Sequence, residues 1–308
     1  MSLPSYKFHS LISALVLVFS LACVRRADAQ ACCAGASAAT PGRLAQHERA
    51  LVGVLARGAV MLGSYRNDGH YVPPPKGVAE DDLEQDLFGA LRLTSHAQVA
   101  LLVPVVETRR TTLSQREFGG GIGDLNVSGR YDFVLAGESR YVPGIALLAG
   151  LTLPTGRAPE SSDRPLATDS TGTGAFQGNA ALALEQIFGN VLVGVSGLVA
   201  KRASRTVQGI QESLGTQFSL LALSSYTFDS GLVAALVGSY AVEGNATQSG
   251  VEAQGSGRRL FTVGLAALHP LSDHFRLQAS ASINPPISSV GRNLPATVAL
   301  STTVAYTW

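Results

Sequence analysis

The chain has 308 residues, a formal net charge of +1 and 15% charged residues, together with 33 glycines and a mean hydropathy of +0.21. Typical soluble domains carry about 25% charge, and a nearly neutral chain lacks the basic surface that nucleic-acid binding requires, so no nucleic acid is expected as a partner. High hydropathy without an apolar run long enough for a membrane helix is what alternating strands with one lipid-facing side produce.

The chain opens with Lys7 and His9 ahead of an apolar run from Leu11 to Val24, followed by Ala27-Asp28-Ala29. A basic start, an apolar stretch too short to span and a small-x-small site predict a secretory leader over residues 1–29, cleaved before Gln30. Leu21-Ala22-Cys23 offers a lipidation site as the alternative. Residues 30–46 have no period and are rich in Ala, Gly, Ser and Pro, and are expected to form a flexible periplasmic segment or a tail lining the lumen. The adjacent Cys32 and Cys33 stand in an oxidising compartment. A strained vicinal disulfide, a metal site completed by a residue such as His47, or a bond to another chain are all open readings, and no CxxC pair supports a metal.

From residue 47 to 308 the pattern is strand-like. Candidate strands fall near 50–65, 82–94, 98–108, 123–135, 143–155, 175–188, 191–203, 215–228, 231–243, 258–270, 274–284 and 296–308, about twelve in all. Their connections alternate between long and short. Residues 66–81, 109–122, 156–174, 204–214, 244–257 and 285–295 are long, whereas 95–97, 136–142, 189–190, 229–230 and 271–273 are short. Long loops at one end, tight turns at the other and an even strand count predict an all-β fold: a closed antiparallel up-and-down transmembrane β-barrel of the outer membrane of a Gram-negative bacterium, with lipid as its surroundings. Strict alternation of this kind is foreign to Greek-key sandwiches.

Side-chain period two then sorts the faces. Leu125, Val127, Tyr131, Phe133 and Leu135 oppose Asp124, Asn126, Ser128, Arg130 and Asp132. Phe275, Leu277, Ala279, Ala281 and Ile283 oppose Arg276, Gln278, Ser280 and Ser282. Leu83, Leu87, Leu91 and Leu93 oppose Glu84, Asp86 and Arg92. Charges of both signs opposite an apolar face are expected of a wet barrel interior, so Asp124, Asn126, Ser128, Arg130, Asp132, Arg276, Gln278, Glu84, Asp86 and Arg92 are the candidate lumen and selectivity residues. The fifth and ninth strands are apolar on both faces, which requires part of the interior to be dry or covered by another segment.

The last strand, Thr297–Trp308, sets Val298, Leu300, Val304, Tyr306 and Trp308 on one face against Ala299, Ser301, Thr303, Ala305 and Thr307. It resembles the terminal strand of bacterial outer-membrane barrels, which closes on an aromatic residue. The resemblance implies recognition by the barrel assembly machinery. A second resemblance rests on FGGGIGDLNVSGRYDF at Phe118–Phe133, Leu-Pro-Thr-Gly at 153–156 and Gly-Thr-Gly at 172–174. These pieces resemble, in order, a family of bacterial outer-membrane proteins named for a proposed role in the meta pathway of phenol degradation. The resemblance implies a channel or facilitator for passive passage of small molecules, including apolar or aromatic solutes.

Chemistry is not expected. The glycines at 119–123 precede a strand rather than a helix and lack a lysine, so they are no phosphate loop. They suit a tight fold over the barrel mouth, with Asp124 accepting bonds from their backbone amides. A barrel phospholipase would need a Ser and a His side by side with an orienting group, and His47, His70, His96, His269 and His274 show no such grouping in the sequence. Asp68, Glu80, Asp81, Asp82, Asp163 and Asp169 lie in or beside the long loops and could bind calcium or bridge to lipopolysaccharide, although solvated loop charge is the plainer reading. No enzyme activity, catalytic residue, metal site or cofactor is therefore expected. A closed barrel acting as surface scaffold or adhesin through its loops is the alternative to a channel.

Overall fold

The computed structural model describes residues 42–308. The expected leader, most of the segment at 30–46, and Cys23, Cys32 and Cys33 lie outside the described residues.

Twelve long strands form the wall: β1 (Ala50–Tyr65), β2 (Ala79–Arg92), β3 (Ala97–Thr111), β4 (Leu125–Val134), β5 (Gly144–Leu153), β6 (Gln177–Phe188), β7 (Val191–Arg202), β8 (Gln217–Thr227), β9 (Val233–Glu243), β10 (Arg258–Pro270), β11 (Phe275–Ile283) and β12 (Pro295–Thr307). Each pairs antiparallel with its sequence neighbours, and β12 returns to β1 with Leu51 opposite Thr307 and Val60 opposite Val298. The terminal Trp308 completes the seam, its carbonyl accepting from the amides of Arg49 at 2.7 Å and Ala50 at 3.1 Å. Closure leaves none of the twelve wall strands at an open end of the sheet, which a lipid surrounding demands. The twelve-strand, closed, up-and-down barrel expected from the alternation is the fold observed.

The faces divide as the period-two pattern requires. Val52, Val54, Leu87, Leu101, Val127, Leu147, Leu182, Val195, Leu220, Leu236, Leu265, Leu300 and Val304 are exposed on the outer wall. At the short-turn end Tyr131, Phe133, Phe188, Tyr226, Phe228, Phe275, Tyr306 and Trp308 also point outward. Several of these rings touch edge to face, Tyr131 on Phe133 at 5.1 Å and Phe275 on Tyr306 at 5.0 Å between centroids. Such a girdle marks the boundary between hydrocarbon and headgroups.

The tight turn at Gly189-Asn190 shows why this end can be so short. Gly189 has φ +59°, the left-handed conformation that a type II′ hairpin requires at its first central position and that the twist of the strands favours. A Cβ there meets no atom within 4 Å, so Gly189→Ala carries only the backbone penalty. We expect it to lower barrel stability by about 1–2 kcal/mol, read as a shift of the urea unfolding midpoint in lipid vesicles.

Two expectations are corrected. Residues 109–122 are not a loop: β3 runs on to Thr111 and the chain returns as a strand, Arg116–Ile122, paired with its upper half. Only the lower half of β3, Ala97–Leu102, pairs with β4. The glycines that suggested a loop permit close strand contact, since a Cβ at Gly120 would lie 2.3 Å from the Val106 carbonyl oxygen. Second, Glu80 is not part of the long loop at 66–81, and neither it nor Asp82, already expected at the start of the strand, is a solvated loop charge. They sit in β2, on the face opposite Leu83 and Leu87, and point into the lumen toward Arg110 and Thr108.

The long connections carry small sheets of their own. Arg205–Val207, Ile210–Ser213, Thr247–Gln248 and Val251–Glu252 form a four-stranded sheet over β7 to β10. The loop at 154–176 folds back over the mouth, where the Arg157 guanidinium pairs with Asp163 and Asp169. The Ser162 hydroxyl, and behind it Arg157, hold the Asp169 carboxyl down at about 2. A carboxyl lowered in the folded state stabilises above its ordinary range and loses that contribution only as pH falls through the lowered value. Mild acid at pH 4 should thus leave this loop in place, checked by unchanged protease resistance of the loop between pH 7 and pH 4.

Candidate functional site

The lumen has two unlike walls. On β1 to β4 and β11 charged and polar side chains stand among the apolar inward ones. Arg57 donates to Glu84 at 3.3 Å, Arg110 to Glu80 at 3.2 Å, and the Thr108 hydroxyl to Asp82 at 2.8 Å. Arg130 donates to Asp132 at 2.7 Å and to Glu185 of β6 at 3.1 Å, with Arg130 and Glu185 side chains only 8% and 7% exposed. Asn126 donates to the Thr152 hydroxyl at 3.1 Å. Buried charges persist only when paired and hydrogen-bonded, as these are.

Residues 42–49 do not trail away from the barrel but enter its short-turn mouth. Arg43, Leu44, Ala45 and Glu48 are buried. Arg43 forms a two-pronged ion pair with Glu185, one arm at 2.6 Å. Glu48 receives the Arg276 guanidinium at 3.2 Å, and Arg276 also donates to the Arg43 carbonyl at 3.0 Å. Arg92 donates to the carbonyls of Ala45 at 2.6 Å and Glu48 at 2.8 Å. Leu44 packs with Leu51, Phe88, Ala90 and Ala305, beside Leu55, Ala100 and Leu102. The segment thus crosses the mouth from the β1–β3 side, where Leu44 is seated, to β6, where Arg43 is held.

The opposite wall is apolar and small. Leu148, Ala181, Ala183, Gly194, Leu198, Leu221, Leu223 and Ala241 line a cavity of about 460 Å³, with the hydroxyls of Ser128, Ser196, Ser219 and Ser239 among them and Arg43, Arg130 and Glu185 also on its boundary. The two-faced apolar strands β5 and β9 contribute Leu148, Ser239 and Ala241 to this lining, and Gly42 and Arg43 of the N-terminal segment border it. A void of this size and lining suits a neutral, largely apolar molecule with one or two hydrogen-bonding groups.

The candidate residues from the sequence separate into groups. Asn126, Ser128, Arg130 and Asp132 lie together on β4, Ser128 and Arg130 on the cavity boundary. Glu84 and Asp86 face the lumen on β2. Arg276 and Arg92 are engaged by the 42–49 segment, and Gln278 is buried on β11. Asp124 stands apart. Its carboxylate accepts from the amide of Gly156 at 3.0 Å, and from the amide and hydroxyl of Thr173 at 2.7 and 2.9 Å, so it clasps the 154–176 loop. Glu185, Arg43 and Glu48 escaped sequence reasoning, and Asp82 entered it only as an acid beside a long loop. The alternation Ala181, Ala183, Glu185 against Leu182, Leu184 could have exposed Glu185, whereas nothing in the aperiodic stretch around Arg43 marks it.

A Ser–His contact does exist on the long-loop side, where the Ser288 hydroxyl lies 3.3 Å from His70 Nδ1. Asp68 accepts from the His70 backbone amide at 2.8 Å. His96 and His274 bond backbone carbonyls of Asp132 and Thr307. The second imidazole nitrogen of His70 meets no carboxylate in the hydrogen bonds among the described residues, so the orienting third member of a hydrolytic triad is missing from this pair.

No curated protein sequence matches the chain. Among solved structures, the crystal structure of an outer-membrane channel from Pseudomonas putida F1 superposes with a TM-score of 0.72 at 15% identity, covering 87% of this chain and 97% of that one. The transport unit of the autotransporter AIDA-I from Escherichia coli reaches 0.49 at 7% identity, over 91% of this chain and 98% of that one. At these identities the first likeness establishes the barrel fold and the second adds nothing to it. The model of the family described as "Putative MetA-pathway of phenol degradation" matches residues 80–302, which include the Gly-Asp-Leu, Leu-Pro-Thr-Gly and Gly-Thr-Gly pieces that meet around the Asp124 carboxylate, and the chain belongs to that family.

Proposed function

We propose that the chain is a passive channel of a bacterial outer membrane for small, neutral, largely apolar molecules, aromatic ones included. The observation that carries this reading is the apolar cavity of about 460 Å³ inside a closed wall, a volume that takes a substituted aromatic ring. The family's description, which links it to phenol degradation, agrees with such a solute, as does the channel from Pseudomonas putida F1 on the same fold. The polar residues Asn126, Ser128, Arg130 and Asp132 on one flank would orient the hydrogen-bonding end of the solute. The leader over 1–29 would export the chain, and the aromatic-ended β12 would present it to the assembly machinery.

The test uses intact cells whose outer membrane excludes apolar dyes, expressing the chain. Uptake of the fluorescent aromatic N-phenyl-1-naphthylamine should rise several-fold over cells without it. Leu148→Arg and Leu221→Arg, which place a charge in the cavity, should return uptake to background while the barrel still assembles. Uptake that is equal with and without the protein defeats the proposal.

One observation favours the second reading, a closed barrel serving as a scaffold through its loops: residues 42–49 occupy the short-turn mouth. Planar-bilayer recording separates the two, because a scaffold stays silent at every voltage. An enzyme would need an orienting group for Ser288 and His70 beyond those the structure supplies.

A further inference from the structure

Among the described residues, every arginine that is buried or half-buried holds a carboxylate or a backbone carbonyl, except Arg259 and Arg292. These two stand side by side at the long-loop rim. Their backbones form an antiparallel bridge, the Arg259 amide donating to the Arg292 carbonyl at 3.1 Å and the Arg292 amide to the Arg259 carbonyl at 2.8 Å. Residues bridged in this way present their side chains on the same face, about 5.5 Å apart at Cα, where like charges destabilise. Each Nε is buried without a partner, whereas the terminal nitrogens, equally unbonded, are not buried. The acids beside them are engaged elsewhere: Asp68 accepts from the His70 amide, and Glu243, opposite Arg258, holds Arg202.

The pair lies on the outer face. Arg259 continues the outward series of Leu265, Val263 and Phe261 on β10. It lies opposite Val242 of β9, which in turn lies opposite Phe218 of β8, and both of these are exposed on the outer wall. Phe218, Val242 and Tyr240 also belong to the lining of a shallow apolar groove of about 590 Å³, with Leu182, Val199 and Leu220 above the small Ala180 and Gly197. A Cβ at Gly197 would meet no atom within 4 Å, so the floor of the groove is open space.

Two guanidiniums without a counter-charge, next to an apolar groove on the lipid face, match an amphiphile with an anionic head. Arginine forks grip phosphate oxygens through paired N–H donors, and the aromatic rings of Phe218 and Tyr240 suit the headgroup boundary. The long loops of outer-membrane barrels face the outside, which makes the lipid one of the outer leaflet. We infer that Arg259, Arg292 and the groove across β5 to β9 form a binding site for the phosphorylated glycolipid of that leaflet, the lipid A part of lipopolysaccharide. Its phosphate sits at the two guanidiniums and one acyl chain in the groove. The site is outside the lumen, so its fate is separate from that of the channel reading.

The test titrates the purified mature chain in detergent with lipid A and reads occupancy by native mass spectrometry. The wild type should hold a single lipid A. Arg259→Gln combined with Arg292→Gln should weaken binding about tenfold or more, because two charge-assisted forks are lost. Gly197→Phe, which fills the groove without touching either arginine, should weaken it several-fold. Arg116→Gln, at an exposed arginine of another long connection, should leave it unchanged. Lipid A stripped of its phosphates should bind the wild type as poorly as intact lipid A binds the double variant. Heat-modifiable migration identical to that of the wild type establishes that each variant is a folded barrel. Equal affinity of the double variant and the wild type, or of intact and dephosphorylated lipid A, overturns the inference. Complete displacement of lipid A by equimolar inorganic phosphate overturns it as well, since the site would then be one for a free anion.

Discussion

Replacing Glu185 with Gln is expected to free residues 42–49 from the short-turn mouth. Glu185 is shared by Arg43 and Arg130, and with its charge gone Arg130 keeps its pair with Asp132 whereas the two-pronged pair of Arg43 is lost. Removing one partner of a buried ion pair costs about 3–5 kcal/mol. That penalty falls on the weaker element, a short strap, and not on a wall of twelve paired strands. The expected results are a several-fold rise in single-channel conductance and rapid tryptic cleavage after Arg43 and Arg49, with the barrel still resistant. Arg276→Gln, which releases Glu48 from the other side of the strap, should act in the same direction. If conductance and cleavage both match the wild type, the charge network is not what seats the strap.

The strap also marks the limit of what the sequence alone disclosed. Strand number, closure and facing followed from period-two alternation and from the rhythm of long and short connections, because lipid outside and water inside impose opposite chemistry on adjacent residues. Leu83, Leu87 and Leu91 could therefore be set against Glu84 and Asp86 before any coordinates. Arg43 and Leu44 belong to no periodic element. Their positions are fixed by partners some 50 to 230 residues away, such as Gln98, Glu185 and Arg276, and no local pattern reports those. The hairpin at 116–122 was concealed for a related reason. Its glycines serve close approach to β3, yet in sequence they read as a break.

Asp124 shows a middle case, in which the motif was visible and its role was not. Facing alone placed it with the lumen residues, but its carboxylate meets three donors and no acceptor, Gly156 on Oδ1 and Thr173 twice on Oδ2. Bonds to a charged acceptor contribute about 1.5–3 kcal/mol each. Asp124→Ala should consequently release the loop at 154–176, so that trypsin cuts after Arg157 at least tenfold faster while strand content by circular dichroism stays constant. Asp124→Asn should do nearly as much, because its amide nitrogen must confront either the Gly156 donor or the pair on Thr173. Gly172→Ala approaches the same knot from its other side. A Cβ there would stand 2.3 Å from Asp124 Oδ1 and 2.8 Å from the backbone of Gly156, and neither has room to retreat. The ion pairs of Arg157 with Asp163 and Asp169 are exposed and salt-screened, so they cannot hold the loop once the knot opens, and cleavage in the three variants should accelerate further in 1 M salt. Should Asp124→Ala leave the loop as resistant as the wild type at both salt concentrations, the loop is fixed by its remaining backbone contacts, and Asp124 returns to the lumen residues as a candidate for solute selection.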